Sequence, residues 1–339
     1  MKQAATWSGY NNYLLNNSDN CAIRDTDVSV SKMLGTNEIS PDGVECGQNN
    51  LNGFVGMLKA RNSALDSPYR PSCVYGVDFS GAKKAGTKIW IASATIVRDA
   101  LKIEHCGQAK DLPGSATERD QCLGALRHFI STQKACAFGL DFPFGLPGVL
   151  VEVNSWEEFV LSFSNRYPSP KEFRDACWVA AGNRELKRDT DKVSQTPFSA
   201  YNRRLYRQTY YGIRDVLAPL VRDQLACVLP MQRTSPGRPW LFEVCPASTL
   251  KNLNLYLLPY KGGDKESRVR RARIIKGIEE TGALLIQTSA LRSKILDDPD
   301  GDALDSVIAA FATFWALRNL AHSSVQESDS YALEGYVYV

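Results

Sequence analysis

The sequence predicts a mixed α/β fold: one sheet with flanking helices and a helical insertion. Three observations carry this. Three short strand patterns follow one another at 73–79, 88–97 and 101–106. A helix with one apolar face and a compact fourth strand, 135–141, come next, and residues 154–226 then show helical patterns with no convincing strand. Consecutive short strands imply an antiparallel meander, and the helix supplies the crossover that lets the fourth strand lie parallel to the first.

The first strand belongs to VYGVDFSGAKKAGTKIWIASATIV, residues 74–97. Its glycines do not form a phosphate loop, because a Walker loop needs Gly, four residues, Gly, then Lys and Ser or Thr, opening a helix. Here Gly86 is followed by Thr87 and Lys88, and the β-branched and aromatic run Ile89 to Val97 reads as a second strand. The stretch is a hairpin. Its first strand is too apolar for a solvated edge, so Asp78 stands near the end of a buried strand, where a carboxylate needs a partner.

The helix runs from about Thr117 to Thr132, with Leu123, Leu126, Phe129 and Ile130 on one face and Ser115 or Thr117 as N-cap. Further strands are expected at 240–245, at 283–287 and in the closing EGYVYV. A basic helix spans 265–281 and stops at Gly282, and a last helix spans 302–318 with Leu304, Val307, Ile308, Phe311 and Phe314 as its core stripe. Residues 1–70, rich in Asn, Ser, Gly and Asp, establish no period. They read as a disordered or loosely packed extension, or as upstream sequence outside the native protein, with the folded domain at 71–339.

Composition limits the function classes. The chain of 339 residues is 44% hydrophobic with a formal charge of +3, so nucleic-acid affinity requires a local patch rather than a global field. Nine cysteines form no C-x-x-C pair; Cys73 and Cys136 fall in strands, where reduced thiols serve as small apolar filler, and a reducing, cytoplasmic setting is expected. No stretch has the apolar length of a signal peptide core or a membrane span. His105, His128 and His322 lack ligand-like spacing, which argues against a histidine zinc site.

Acids recur at chain-breaking turns. AFGLDFPFGLP, residues 137–147, ends an apolar strand in Asp141 before Pro143; LFEVCPASTL places Glu243 likewise; GDALDSVIAA carries Asp302 and Asp305 three apart on one helix face. At the carboxyl ends of adjacent parallel strands, Asp78 and Asp141 would converge in one crevice. Carboxylates brought together need a compensating cation, and Mg²⁺ or Mn²⁺ suits oxygen ligands. Singly, each acid has a structural explanation: Asp302 as an N-cap, Asp141 bracing its turn, Glu243 paired with an arginine.

Together GVDFSGAKKAGTKIWIA, GLDFPFGLP, FEVCPASTL and GDALDSVIAAF resemble the domain-of-unknown-function 429 family of predicted nucleases, over about residues 73–339, with TPFSAYNRRLYRQTYYGIRDVLAPL similar to its central region. The resemblance implies a ribonuclease H-like core: a five-stranded mixed sheet with its first three strands antiparallel. It implies catalytic acids at Asp78, Asp141, Glu243 and Asp305, with Asp302 an auxiliary metal ligand, acting in two-metal phosphodiester hydrolysis. Classical ribonucleases H also carry a glutamate on the first helix, where this chain offers only Glu118 at the helix start.

For the polyanion, Arg203, Arg207, Tyr210 and Arg214 recur at helical spacing, a pattern that suits nucleic-acid binding or a solvated helix face. Two other functions share these residues: an actin-like phosphotransferase, for which neither a second phosphate loop nor an adenosine pocket is evident, and a catalytically silent module that binds nucleic acid or protein.

Overall fold

The computed structural model describes residues 70–319, Val325 and 328–339. Residues 1–69 of the expected extension lie outside the described residues. Eight strands among the described residues form one sheet: β1 (Cys73–Asp78), β2 (Trp90–Val97), β3 (Ala100–Gln108), β4 (Cys136–Leu140), β5 (Cys227–Leu229), β6 (Trp240–Val244), β7 (Leu284–Ile286) and β8 (Val337–Tyr338). Their order is β5-β6-β4-β1-β2-β3-β7, with β8 also paired to β6.

The hairpin β1–β2 and the pair β2–β3 are antiparallel, while β4 runs parallel to β1 and β6 parallel to β4. The core order β3-β2-β1-β4-β6 is the ribonuclease H-like arrangement, and β5 with the expected β7 and β8 extends this five-stranded core to eight. β5 was not expected. Three residues directly after the helical insertion are too few to establish a period.

The crossover helix α1 spans Arg119–Thr132, and its N-cap is Glu118, whose side chain makes no capping bond. Neither Ser115 nor Thr117 caps it. The insertion consists of α2 (Trp156–Arg166), α3 (Pro170–Ala180), α4 (Asp189–Val193), α5 (Tyr206–Gly212) and, after a π turn, α6 (Ala218–Arg222). Ser155 and Ser169 cap α2 and α3 by accepting from the Glu158 and Glu172 amides. Then come α7 (Pro246–Asn252), the basic helix α8 (Lys265–Glu280), α9 (Ser289–Asp297), α10 (Asp302–Asn319) and α11 (Asp329–Glu334). As expected, α8 ends at a left-handed glycine, Gly282, with φ +74°.

The two faces of the sheet are read from side-chain alternation. Tyr75 on β1 stacks on Phe138 of β4, and both meet Phe129 of α1, so odd positions of β1 face α1. Even positions face α10, which lies across β1, β2 and β4 and is flanked by α7 and α9. The expected stripe of α10 is buried, and so are Ala303, Ala309, Ala310, Ala312 and Leu317, because the helix is enclosed on nearly every side.

Two glycines admit it. Gly76 and Gly139 stand in register on β1 and β4. A Cβ on Gly76 would lie 2.0 Å from the Ser306 carbonyl oxygen and 2.2 Å from the Ala310 nitrogen; one on Gly139 would lie 2.0 Å from Thr313 Oγ1. Gly76→Ala is expected to push α10 off the sheet, at the upper end of overpacking costs, about 3 kcal/mol. Urea unfolding checks this; an unchanged midpoint would show that the helix can shift without strain.

Cys73 and Cys136 depart from expectation. They are register partners on β1 and β4, Cα atoms 4.7 Å apart, and the structure joins them as a disulfide where reduced thiols were expected. Neighbouring strands bring together residues 63 positions apart, a proximity invisible in the spacing of cysteines along the chain.

Candidate metal centre

The acids meet where β1, β4 and α10 come together. Val77 pairs with Leu140, and the Asp141 amide donates to the Val77 carbonyl at 3.0 Å, so Asp78 and Asp141 follow in register on the α10 face. Gly76 touches α10 at Ser306 and Ala310, one turn past Asp302 and Asp305. That contact brings both helix acids over the end of β1. One carboxylate oxygen each from Asp78, Asp302 and Asp305 lies within 4.8 Å of the others, a spacing that one cation bridges with bonds of about 2.0–2.5 Å.

The electrostatics are unbalanced. Burial pushes the Asp78 carboxyl well above its ordinary range, and Asp305, Asp302 and Asp141 push it further. Asp141, only half-buried by exposed area but enclosed by the acids, is raised to about 8 by burial and then by Asp305, with Glu243 and Asp302 adding to it. Asp302 is raised too, by burial first. The cation facing these four acids is Lys261, whose Nζ lies 2.7 Å from Asp305 Oδ2 and 3.2 Å from Asp302 Oδ1. Burial opposes its charge, but Asp305, Asp78 and Asp302 outweigh that and raise its pKa. Tyr260 donates to Asp305 Oδ1 at 2.5 Å. Sequence reasoning missed Tyr260 and Lys261 because they come from an irregular loop between α7 and α8.

The basic helix α8 holds that loop. Arg271, buried, donates to the carbonyls of Tyr260 (2.7 Å) and Gly262 (3.0 Å), and Arg270 to that of Pro259. Arg268 pairs with Asp297, and Lys276 with Glu280.

Glu243 does not join the acids. Its register partner on β4 is Leu140, one residue short of Asp141, so alternation turns it toward the α1 face. Arg188 Nη1 donates to its Oε2 at 2.8 Å and Nη2 to its Oε1 at 2.5 Å, and the Phe144 amide donates to Oε2. The arginine pairing open to it in the sequence is the one the structure shows. Arg188 is itself buried. Burial disfavours its charge, but Asp191 and Glu243 outweigh that and keep the guanidinium protonated.

The insertion closes one side. Phe142 packs under Gly212 of α5, Gly81 lies against the Arg207 backbone, and Gln208 Nε2 donates to the Phe79 carbonyl at 2.5 Å. The expected binding stripe divides. Arg203 and Arg207 are exposed, whereas Tyr210 is buried with its hydroxyl on the Tyr167 carbonyl, and Arg214 pairs with Asp215 against the Tyr210 and Tyr211 rings. Tyr210 offers no face to a ligand, because it stands on the inner side of a helix that packs on α3.

Residues 76–325 match the family model described as "Protein of unknown function (DUF429)". The chain belongs to the DUF429 family. All four acids of the centre and Lys261 fall inside the matched span. Among curated proteins none matches. Among solved structures, this DUF429 chain is similar to the yeast mitochondrial Holliday junction resolvase Ydc2, at 11% identity and a TM-score of 0.30, over 81% of this chain and 97% of that one. No helix among the described residues of the DUF429 chain is long and apolar enough to cross a membrane.

Proposed function

We propose that this protein is a nuclease dependent on Mg²⁺ or Mn²⁺ that hydrolyses phosphodiester bonds of nucleic acid. The observation that carries the proposal is the convergence of Asp78, Asp141, Asp302 and Asp305 where β1, β4 and α10 meet, with the Lys261 ammonium among them. The donor set fits a hard cation: all oxygen, with three ligand atoms within 4.8 Å. Bound there, the cation supplies Lewis-acid polarisation of a phosphoryl oxygen and a more acidic water.

The chain's own residues do the rest. Asp78, Asp302 and Asp305 would hold the cation, Asp141 would supply a further carboxylate where a second one binds, and Glu243, bonded to Arg188, has no part in it. Lys261, displaced from Asp302 and Asp305, turns its charge to a phosphate oxygen. The water oxygen bonds to phosphorus, one P–O ester bond breaks, and the leaving oxygen takes a proton, giving a phosphomonoester and a hydroxyl. Exposed Arg204 lines the cleft, and Arg203 and Arg207 are exposed on the same stretch of chain, for backbone phosphates.

The test is cleavage of labelled single strands, duplexes, hybrids and junctions with each metal, comparing wild type with Asp78→Asn. Products that depend on metal and vanish in the variant support the proposal; cleavage by neither protein, with no Mn²⁺ binding in calorimetry, ends it. Binding should also track pH. Asp141 is raised to about 8 and Asp78 is raised with it, so a cation displaces protons there, and each proton displaced tightens Mn²⁺ binding roughly tenfold per unit rise in pH below the carboxyl pKa. Calorimetry between pH 6 and 8 in buffers of different ionisation enthalpy counts those protons; affinity flat across that range would show the acids already ionised.

A further inference from the structure

Asp78, Asp141 and Asp305 line a cleft of about 560 Å³, whose other walls come mainly from the insertion, the start of α7 and the loop before α8. That volume is in the range of small-ligand pockets, roughly 300–1,000 Å³. A duplex does not enter it, since the major groove alone is about 12 Å wide. One unstacked nucleotide does.

The walls are also of the right chemistry. Phe198, half-buried, lines the cleft with the exposed Arg204 guanidinium 5.4 Å from its ring centroid, and bases stack both on aromatic rings and on guanidinium planes. Tyr256, 42% exposed, lines the same space from the loop before α8. Next to it Leu257 is 81% exposed and Leu258 53%, on the loop that carries Tyr260 and Lys261 to the acids. Two leucines largely in solvent on that loop bury little apolar surface in the fold, whereas apolar side chains wedged against base steps keep them unstacked.

We infer that the substrate enters as an unpaired nucleotide of a longer strand, with its base in the cleft against Phe198–Arg204 and Tyr256, its phosphate at the acids and Leu257–Leu258 against the adjoining base. This rests on the nuclease proposal for what happens at the phosphate, but the binding it describes can be read without cleavage.

The experiment uses the full chain and 20-nucleotide strands carrying 2-aminopurine, single-stranded, fully paired, or paired with one unpaired position. Binding is read by fluorescence on Asp78→Asn, and cleavage on wild type with Mn²⁺. Expected are quenching and cleavage of the single-stranded and unpaired forms, with the full duplex at least tenfold poorer. Phe198→Ala and Tyr256→Ala should each weaken strand binding about tenfold, and Phe198→Trp should restore it. The inference is overturned by a duplex handled as well as a strand, by alanine variants that bind normally, by the absence of strand binding, or by a dinucleotide turned over as fast as a strand. Quenching without cleavage in any metal would refute the nuclease while keeping the cleft's assignment; equal cleavage of strand and duplex would do the reverse.

Discussion

Asp78→Asn is expected to abolish metal-dependent cleavage while stabilising the metal-free protein. The loss follows from removing the central ligand: several kcal/mol of transition-state stabilisation disappear, on the order of 10³-fold in rate. The gain follows from linkage. The folded-state carboxyls of Asp78 and Asp141 titrate above the unfolded value of about 3.9, so the folded chain binds more protons than the unfolded chain between that value and the raised one. Stability from these groups is therefore complete below about pH 4 and is lost as pH rises, through about 8 for Asp141. Asparagine does not titrate. In EDTA the difference in Tm should favour the variant and widen from pH 5 to 8; added Mn²⁺ should reverse it by stabilising only wild type. Thermal scans with and without metal decide the matter. A variant less stable than wild type in EDTA would mean that Asp78 is held by structural partners and is not strained for a cation.

The second large effect is expected from Arg188→Met. Arg188 Nε and Nη2 donate to Asp191 at 2.9 and 2.8 Å, its two terminal nitrogens to Glu243, and Nη1 to the Glu334 carbonyl at 3.1 Å. Removing the cation strands two buried carboxylates, a loss of about 3–5 kcal/mol. For a domain of this size that lowers Tm by roughly 10 °C. It also frees the insertion, because Glu334 is bonded to the Gly148 and Asp189 amides and Arg188 links that corner to β6. Activity should fall with stability. The triple variant Arg188→Met, Asp191→Asn, Glu243→Gln should recover much of the Tm, since the desolvated charges leave together. A Tm for the single variant within 2 °C of wild type, roughly the shift from 1 kcal/mol, would show that water reaches the carboxylates.

Legibility in the sequence varied with the range of the interaction involved. The hairpin at 74–97 was readable because alternation and β-branched residues act locally, and so was the parallel placement of β4, because one helix between strands leaves few topologies. The site was partly readable. Asp78 and Asp141 were visible as acids closing apolar strands, and Asp302 with Asp305 as neighbours on a helix face. Lys261 and Tyr260 were not, since they lie in a loop without period and reach the acids only because Arg271, on the next helix, bonds to its carbonyls. Tyr210 was misplaced for a related reason: helical spacing shows which residues share a face, and packing decides whether that face is wet.

The amino-acid sequence by itself determined the strand–helix order, the acids at strand ends and the proline and glycine positions that stop elements. These are properties of single residues and near neighbours. Only the tertiary structure decided that Asp141 and not Glu243 stands with Asp78. Both acids end apolar strands, and the difference is one residue of register against β4. Because side chains alternate with period two, that single step sends one carboxylate to α10 and the other to Arg188.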